Sequence, residues 1–232
     1  MNWRHGGQIR KMEYKGAIFD MDGLLFDTER IYQQIWQEIA GERGVKLDSG
    51  FANAISGTNG QHMCRIIERY YHVPDGAVIM DECMERIGKR LSIHVPVKQG
   101  VHEILDFFHK RNVRIAVASS TAAGQIESNL KMAGIRRYFA AVVSGAEVKR
   151  GKPEPDIFLL AADRIGCRPA ECFVFEDSEN GIRAGYAAGC TTIMVPDIVR
   201  ASSDILPYCT KICRNLLQAQ KEIEEMMDDR KK

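Results

Sequence analysis

The stretch GAIFDMDGLLFDTE, residues 16–29, sets the run Gly16-Ala17-Ile18-Phe19 directly before Asp20 and Asp22. A short apolar run bounded by turn residues reads as a buried strand. Two carboxylates just past its end repel each other and raise one another's pKa. Folding gains nothing from that crowding, so the pair points to chemistry. The plainer reading is a turn, since Asp and Gly both favour turns.

Four more β-rich runs lie downstream, at residues 113–118, 141–144, 172–175 and 191–195. Helical patterns at 101–111, 122–133, 156–166 and 180–188 alternate with them, and Gly134, Gly166 and Gly189 fall where helix C-caps belong. Alternating strand and helix predict an α/β fold with a parallel sheet covered on both faces. The runs are apolar throughout, as strands buried on both faces should be.

The first connection breaks the rhythm. Its periodicity is helical, through Ile31, Ile35 and Ile39, then Met63, Ile66, Ile67 and Tyr70, then Met80, Met84, Ile87 and Leu91. A structureless loop of that length is implausible in a compact domain. Residues 29–96 are therefore expected to form a helical cap, with residues 1–28 and 97–232 as the core and 1–13 as a polar extension. The aromatic and Met positions of the cap read as a small core of its own.

Length and composition bound the rest. The chain has 232 residues and a formal net charge of +1, with both signs interspersed. That pattern argues against a nucleic-acid partner, which calls for a clustered basic patch. No apolar run approaches the ~20 residues of a membrane span, and the N-terminus has no secretory h-region. The seven cysteines are scattered and odd in number, so no disulfide framework is expected. Cys209 and Cys213 are spaced for one helical face. The cytoplasm is the default compartment, no obligate protein partner is apparent, and the tail from Asp228 reads as a solvated end.

Position gives the polar residues their meaning. Asp20 and Asp22 follow the first strand, Ser119, Ser120 and Thr121 the second, Lys152 the third, and Glu176 and Asp177 the fourth. Ligands of open α/β sheets bind outside the carboxyl ends of the strands. Four carboxylates at one rim call for a cation, and Mg²⁺ is the hard ion that prefers oxygen. Hydroxyls and a lysine beside it suit a phosphoryl group. Each feature alone has a plain alternative: Ser119-Ser120-Thr121 as a helix cap, Lys152 as a loop lysine, Glu176-Asp177-Ser178 as an N-cap with first-turn acids.

Taken in order, Asp20-Met21-Asp22-Gly23, Ser119, Gly151-Lys152-Pro153-Glu154-Pro155-Asp156 and Glu176-Asp177-Ser178 with Gly181 closely resemble the four motifs of the haloacid dehalogenase-like superfamily. The resemblance spans about residues 14–200. The place of the insertion is similar to the subfamily of β-phosphoglucomutase and small sugar-phosphate phosphatases. It implies a Rossmann-like sheet of order 5-4-1-2-3. It implies Asp20 as nucleophile, forming an aspartyl phosphate, and Asp22 as acid and then base. It implies Mg²⁺ on Asp20, the backbone carbonyl of Asp22, Asp177 and Glu176. Ser119 should bond a phosphoryl oxygen and Lys152 should bridge it to Asp20, with backbone amides near Gly23 and Ser120 helping. Thr121, and from the cap Thr28, the 57–60 loop with Asn59, and Lys89 or Arg90, are expected to meet the substrate. The implied activity is a Mg²⁺-dependent phosphatase of small phosphorylated metabolites, either sugar or nucleoside phosphates. A phosphohexomutase is the alternative, and a non-catalytic phospho-metabolite sensor a third. The cap histidine and arginine of the mutase have Tyr32 and Gly60 in their places, which favours hydrolysis.

Overall fold

The computed structural model describes residues 13–55, 58, 60–197 and 201–229. Six parallel strands form one sheet among these residues: β1 (Gly16–Phe19), β2 (Arg114–Ser119), β3 (Phe139–Ser144), β4 (Cys172–Glu176), β5 (Thr191–Met194) and β6 (Lys211–Ile212). Their order is β3-β2-β1-β4-β5-β6. Read from the other edge it is the expected 5-4-1-2-3 with one more strand, the two-residue β6, outside β5. The sheet thus has six strands rather than five, and the α/β Rossmann-like fold stands.

Alternation along β1 sorts the core into two layers. Ala17 and Phe19 face α5 (Val101–Lys110), α6 (Ala123–Met132) and α9 (Leu216–Asp229), whose buried side chains belong to the same cluster. Ile18 faces the other way, towards α7 (Asp156–Arg164) and α8 (Glu179–Ala187). The first layer is aromatic, with Phe19 stacked on Phe175 at 4.4 Å between ring centroids and Tyr14 on Phe173 at 3.8 Å. The second is built from small residues, among them Ala116, Ala118, Ala161 and Ala162, and lets α7 lie close to the sheet. Gly134, Gly166 and Gly189 close α6, α7 and α8 with φ of 70°, 60° and 82°, the left-handed values that favour glycine.

Residues between β1 and α5 form four helices: α1 (Thr28–Glu42), α2 (Ser49–Ile55), α3 (Gly60–Tyr71) and α4 (Gly76–Leu91). Ile35, Trp36, Ile39, Phe51, Ile67, Tyr71, Cys83 and Ile87 are buried there, and the Tyr71 hydroxyl donates to the Trp36 carbonyl at 2.7 Å. The periodic residues thus make a core, apart from Met84, which is exposed. The chain segments entering and leaving this insertion are tied together. Asp27 N–H donates to the Pro96 carbonyl at 2.9 Å and Lys98 N–H to the Leu25 carbonyl at 3.0 Å.

The C-terminal segment departs from expectation. Asp228 and Asp229 end α9, which packs on α5, so they are helical rather than frayed; Asp228 is exposed, and residues 230–232 of the expected solvated tail lie outside the described residues. Cys209 and Cys213 flank β6 and share no helix. Among the described residues all seven cysteines are free thiols, and no helix is long and apolar enough to cross a membrane.

Candidate active site

Strand register builds the site. β1 pairs in parallel with β4, Phe19 opposite Phe175, and with β2, Phe19 opposite Val117. Asp20 therefore emerges beside Glu176 and Ala118, and its N–H continues the ladder to the Phe175 carbonyl at 3.0 Å. Lys152 reaches across from the loop after β3. Its ammonium donates to Asp20 Oδ1 at 2.5 Å, Glu176 Oε1 at 2.6 Å and the Ala118 carbonyl at 3.2 Å. The three chain segments meet on one buried nitrogen.

Three of the four expected carboxylates crowd together, and Asp22 stands outside the group. Asp20, Glu176 and Asp177 each offer an oxygen within 4.8 Å of the others. Glu176 is fully buried; one oxygen accepts from Lys152, and the other from Ser178 N–H at 3.1 Å and Ser178 Oγ at 2.9 Å. Burial is the largest cause that raises Asp20, to about 8; Lys152 opposes it, and Glu176 and then Asp22 add to it. Mutual repulsion with Asp22 is thus a lesser cause than burial. Asp177 is pushed well above the carboxylate range, by burial first and then by Glu176 and Asp20. Burial disfavours the Lys152 charge, but Asp20 and Glu176 outweigh it and hold its pKa above the ordinary lysine value.

Two motif glycines make room for these acids. A Cβ at Gly23, where φ is +80°, would lie 2.2 Å from Asp177 Oδ2. A Cβ at Gly181 would lie 1.9 Å from the Glu176 carboxyl. Buried Asp20 and Glu176, both bonded to Lys152, and half-buried Asp177, in a cradle without side-chain bulk, form an all-oxygen donor set that fits a hard divalent cation.

Asp22 sits among hydroxyls. Its Oδ1 accepts from Thr28 Oγ1 at 3.0 Å; its Oδ2 accepts from Thr121 Oγ1 at 2.7 Å and Ser119 Oγ at 3.4 Å. Thr28 and Thr121, expected to meet a substrate, both hold Asp22 in this structure. Neither serine caps the next helix: Ala122 stands at the N-cap of α6 with no side-chain cap bond. Lys152 spans two carboxylates and is no loose loop lysine. Ser178 does cap α8, accepting from Gly181 N–H at 3.1 Å.

Other expected residues lie elsewhere or outside the described set. Asn59 and Gly57 fall outside the described residues. Lys89 pairs with Glu85 of its own helix and Arg90 with Glu38 of α1, all four side chains being exposed. Asp197, after β5, was not singled out from the sequence. It pairs with Lys98, keeps its Oδ2 buried without a partner, and adds to the negative field on Asp177. The strand-end rule that found Asp20 applies equally to it.

Comparison with known proteins agrees with this geometry. The family profile described as haloacid dehalogenase-like hydrolase matches residues 17–195. The chain belongs to the haloacid dehalogenase-like hydrolases. It is 35% identical over 183 residues to the Escherichia coli K12 fructose-1-phosphate phosphatase YqaB, covering 78% of this chain and 96% of that one. It is 32% identical over 222 residues to the Drosophila melanogaster protein named "Probable pseudouridine-5'-phosphatase", covering 92% and 94%. The crystal structure of a haloacid dehalogenase family hydrolase from Deinococcus radiodurans R1, with bound phosphate and sodium, superposes with a TM-score of 0.77 at 25% identity, covering 94% of this chain and 97% of that one.

Proposed function

We propose that this haloacid dehalogenase-like phosphatase hydrolyses small phosphate monoesters, of sugars or nucleosides, with Mg²⁺ and through an aspartyl phosphate on Asp20. The supporting observation is the meeting of Asp20, Lys152, Glu176 and Asp177 at the carboxyl ends of β1 and β4. Relatives named for fructose-1-phosphate and pseudouridine-5'-phosphate favour that substrate class.

Asp20 is the nucleophile. Lys152 holds its Oδ1, which leaves Oδ2 to attack phosphorus in line. Asp22, held by three hydroxyls, protonates the leaving oxygen and then takes the proton of the hydrolytic water. Asp20, Asp177 and the Asp22 carbonyl would hold Mg²⁺, with Glu176 beside them. The ion supplies charge to offset that of the dianion and of the transferring phosphoryl group. Ser119 Oγ, by exchanging its 3.4 Å contact with Asp22, and the amides near Gly23 and Ser120 would bond phosphoryl oxygens, although the Gly23 N–H itself donates to the Phe26 carbonyl at 3.0 Å. Residues 29–96 act as a cap on the core of residues 1–28 and 97–232, and substrate choice resides in it.

A panel of phosphate monoesters, assayed with Mg²⁺ and with chelator, tests this reading. Release of inorganic phosphate that stops with chelator and falls about 10²–10⁴-fold in Asp22→Asn is expected. Interconversion of hexose 1- and 6-phosphates without net hydrolysis contradicts it, as does an unchanged rate in Asp22→Asn.

A further inference from the structure

We propose that Thr121 and Ser144 are positioning residues for Asp22: the turn after β3 fixes the loop after β2, and Thr121 in that loop holds the carboxylate. The inference rests on the acid–base role given to Asp22 above. Of the three hydroxyls on that carboxylate, Thr121 makes the shortest contact, 2.7 Å against 3.0 Å for Thr28 and 3.4 Å for Ser119. The backbone of Thr121 also controls Ser119, whose Oγ accepts from Thr121 N–H at 3.1 Å. Whatever sets Thr121 therefore sets two side chains of the site.

That support comes from the last residue of β3, ahead of the Lys152 motif in the loop that follows. Ser144, only 1% exposed, donates its hydroxyl to the Thr121 carbonyl at 2.7 Å. Ser144 is itself fixed: its Oγ accepts from Ala146 N–H at 3.3 Å and its N–H donates to Glu147 Oε1 at 2.8 Å. Glu147 in turn pairs with Arg164 of α7 at 2.5 Å. Gly145 brings the two loops into contact, because a Cβ there would lie 3.1 Å from Ser120 Cα. A buried hydroxyl has one low-energy arrangement when each partner is fixed, since an unmade bond there costs its full desolvation. The chain Arg164–Glu147–Ser144–Thr121 thus ends on the carboxylate that must align with the leaving oxygen. Misalignment of a reacting group is costly even when small.

Steady-state kinetics of Thr121→Val, Thr121→Ser and Ser144→Ala with excess Mg²⁺ and a hexose phosphate test the proposal. Thr121→Val removes the hydroxyl at nearly constant volume, and kcat should fall about ten- to a hundredfold with KM unchanged. Thr121→Ser should recover most of that loss, and Ser144→Ala should lower kcat in the same direction. In an Asp22→Asn background Thr121→Val should cause no further loss. A rise in KM with kcat retained overturns the proposal and makes Thr121 a substrate contact, as does a loss that persists in the Asp22→Asn background. Should the wild type hydrolyse no phosphate monoester, the functional reading fails, and crystal structures of wild type and Thr121→Val still decide the positioning claim. A rotated Asp22 carboxylate in the variant supports it, and an unmoved one overturns it.

Discussion

Asp20 sits 7% exposed between a lysine and two further acids, and burial is what lifts it to about 8. Unfolding returns it to the ordinary carboxylate range near 4. The native state therefore binds that proton more tightly. The stability this confers is complete below about pH 4 and is lost as pH rises through about 8. Metal-stripped protein should show a melting temperature that declines over this window, with a shallower decline in Asp20→Asn. Added Mg²⁺ should restore much of the loss at pH 8, because the cation takes the proton's place. Scanning calorimetry with and without Mg²⁺ measures both. Gly181 belongs to the same scale. Glu176 is pinned by Lys152 and Ser178, so it cannot retreat from a new methyl group. Gly181→Ala should cost about 1–3 kcal/mol in urea unfolding and weaken Mg²⁺ binding measured by titration calorimetry. Asp20, Asp22, Lys152 and Asp177 were legible in the sequence because strand ends fix where their backbones emerge. The bonds from Thr28 and Thr121 to Asp22 were not, because a hydroxyl's partner depends on how two loops dock. Ser144 carried no signal at all, being a serine at the end of an ordinary apolar strand.

At the scale of elements, α4 carries two glycines with opposite meanings. Gly88 lies inside the helix with open space where a Cβ would go, so Gly88→Ala should stabilise by about 0.5–1 kcal/mol. Gly76 lies at the start of the same helix, and a Cβ there would sit 2.2 Å from the Cys64 carbonyl of α3. Backbone cannot yield as a side chain can, and Gly76→Ala should destabilise by about 1–3 kcal/mol. Chemical denaturation of the two variants beside wild type reads both. The strands β1 to β5 and the helices α5 to α8 were legible from apolar runs and glycine punctuation, to within two residues at most ends. β6 was not: it is two residues long and both are exposed, so it has no apolar run to announce it. α9 does carry a periodic face in Leu216, Ala219 and Ile223, but the acid-rich residues around it mask the pattern.

For the molecule as a whole, strand order turns a sequence pattern into a site. With β1 between β2 and β4, residues over 150 positions apart in the chain meet at one rim. The four-helix insertion leaves and rejoins the core through paired segments at Phe26 and Val97, directly after the acids it is proposed to cover. Its helical nature was legible from periodicity. The faces it turns to a substrate were not: Lys89 pairs with Glu85 of its own helix, Arg90 with Glu38 of α1, and Asn59 lies outside the described residues. The central claim is that Asp20 becomes phosphorylated during turnover in the presence of Mg²⁺. Acid-quenching the enzyme during turnover of a hexose phosphate, followed by peptide mass spectrometry, tests it most directly. A phosphoryl group on Asp20, absent in chelator and accumulating in Asp22→Asn if hydrolysis of the aspartyl phosphate slows more than its formation, is the expected result. Steady Mg²⁺-dependent release of phosphate with label on no residue, or with label on a residue other than Asp20, contradicts it.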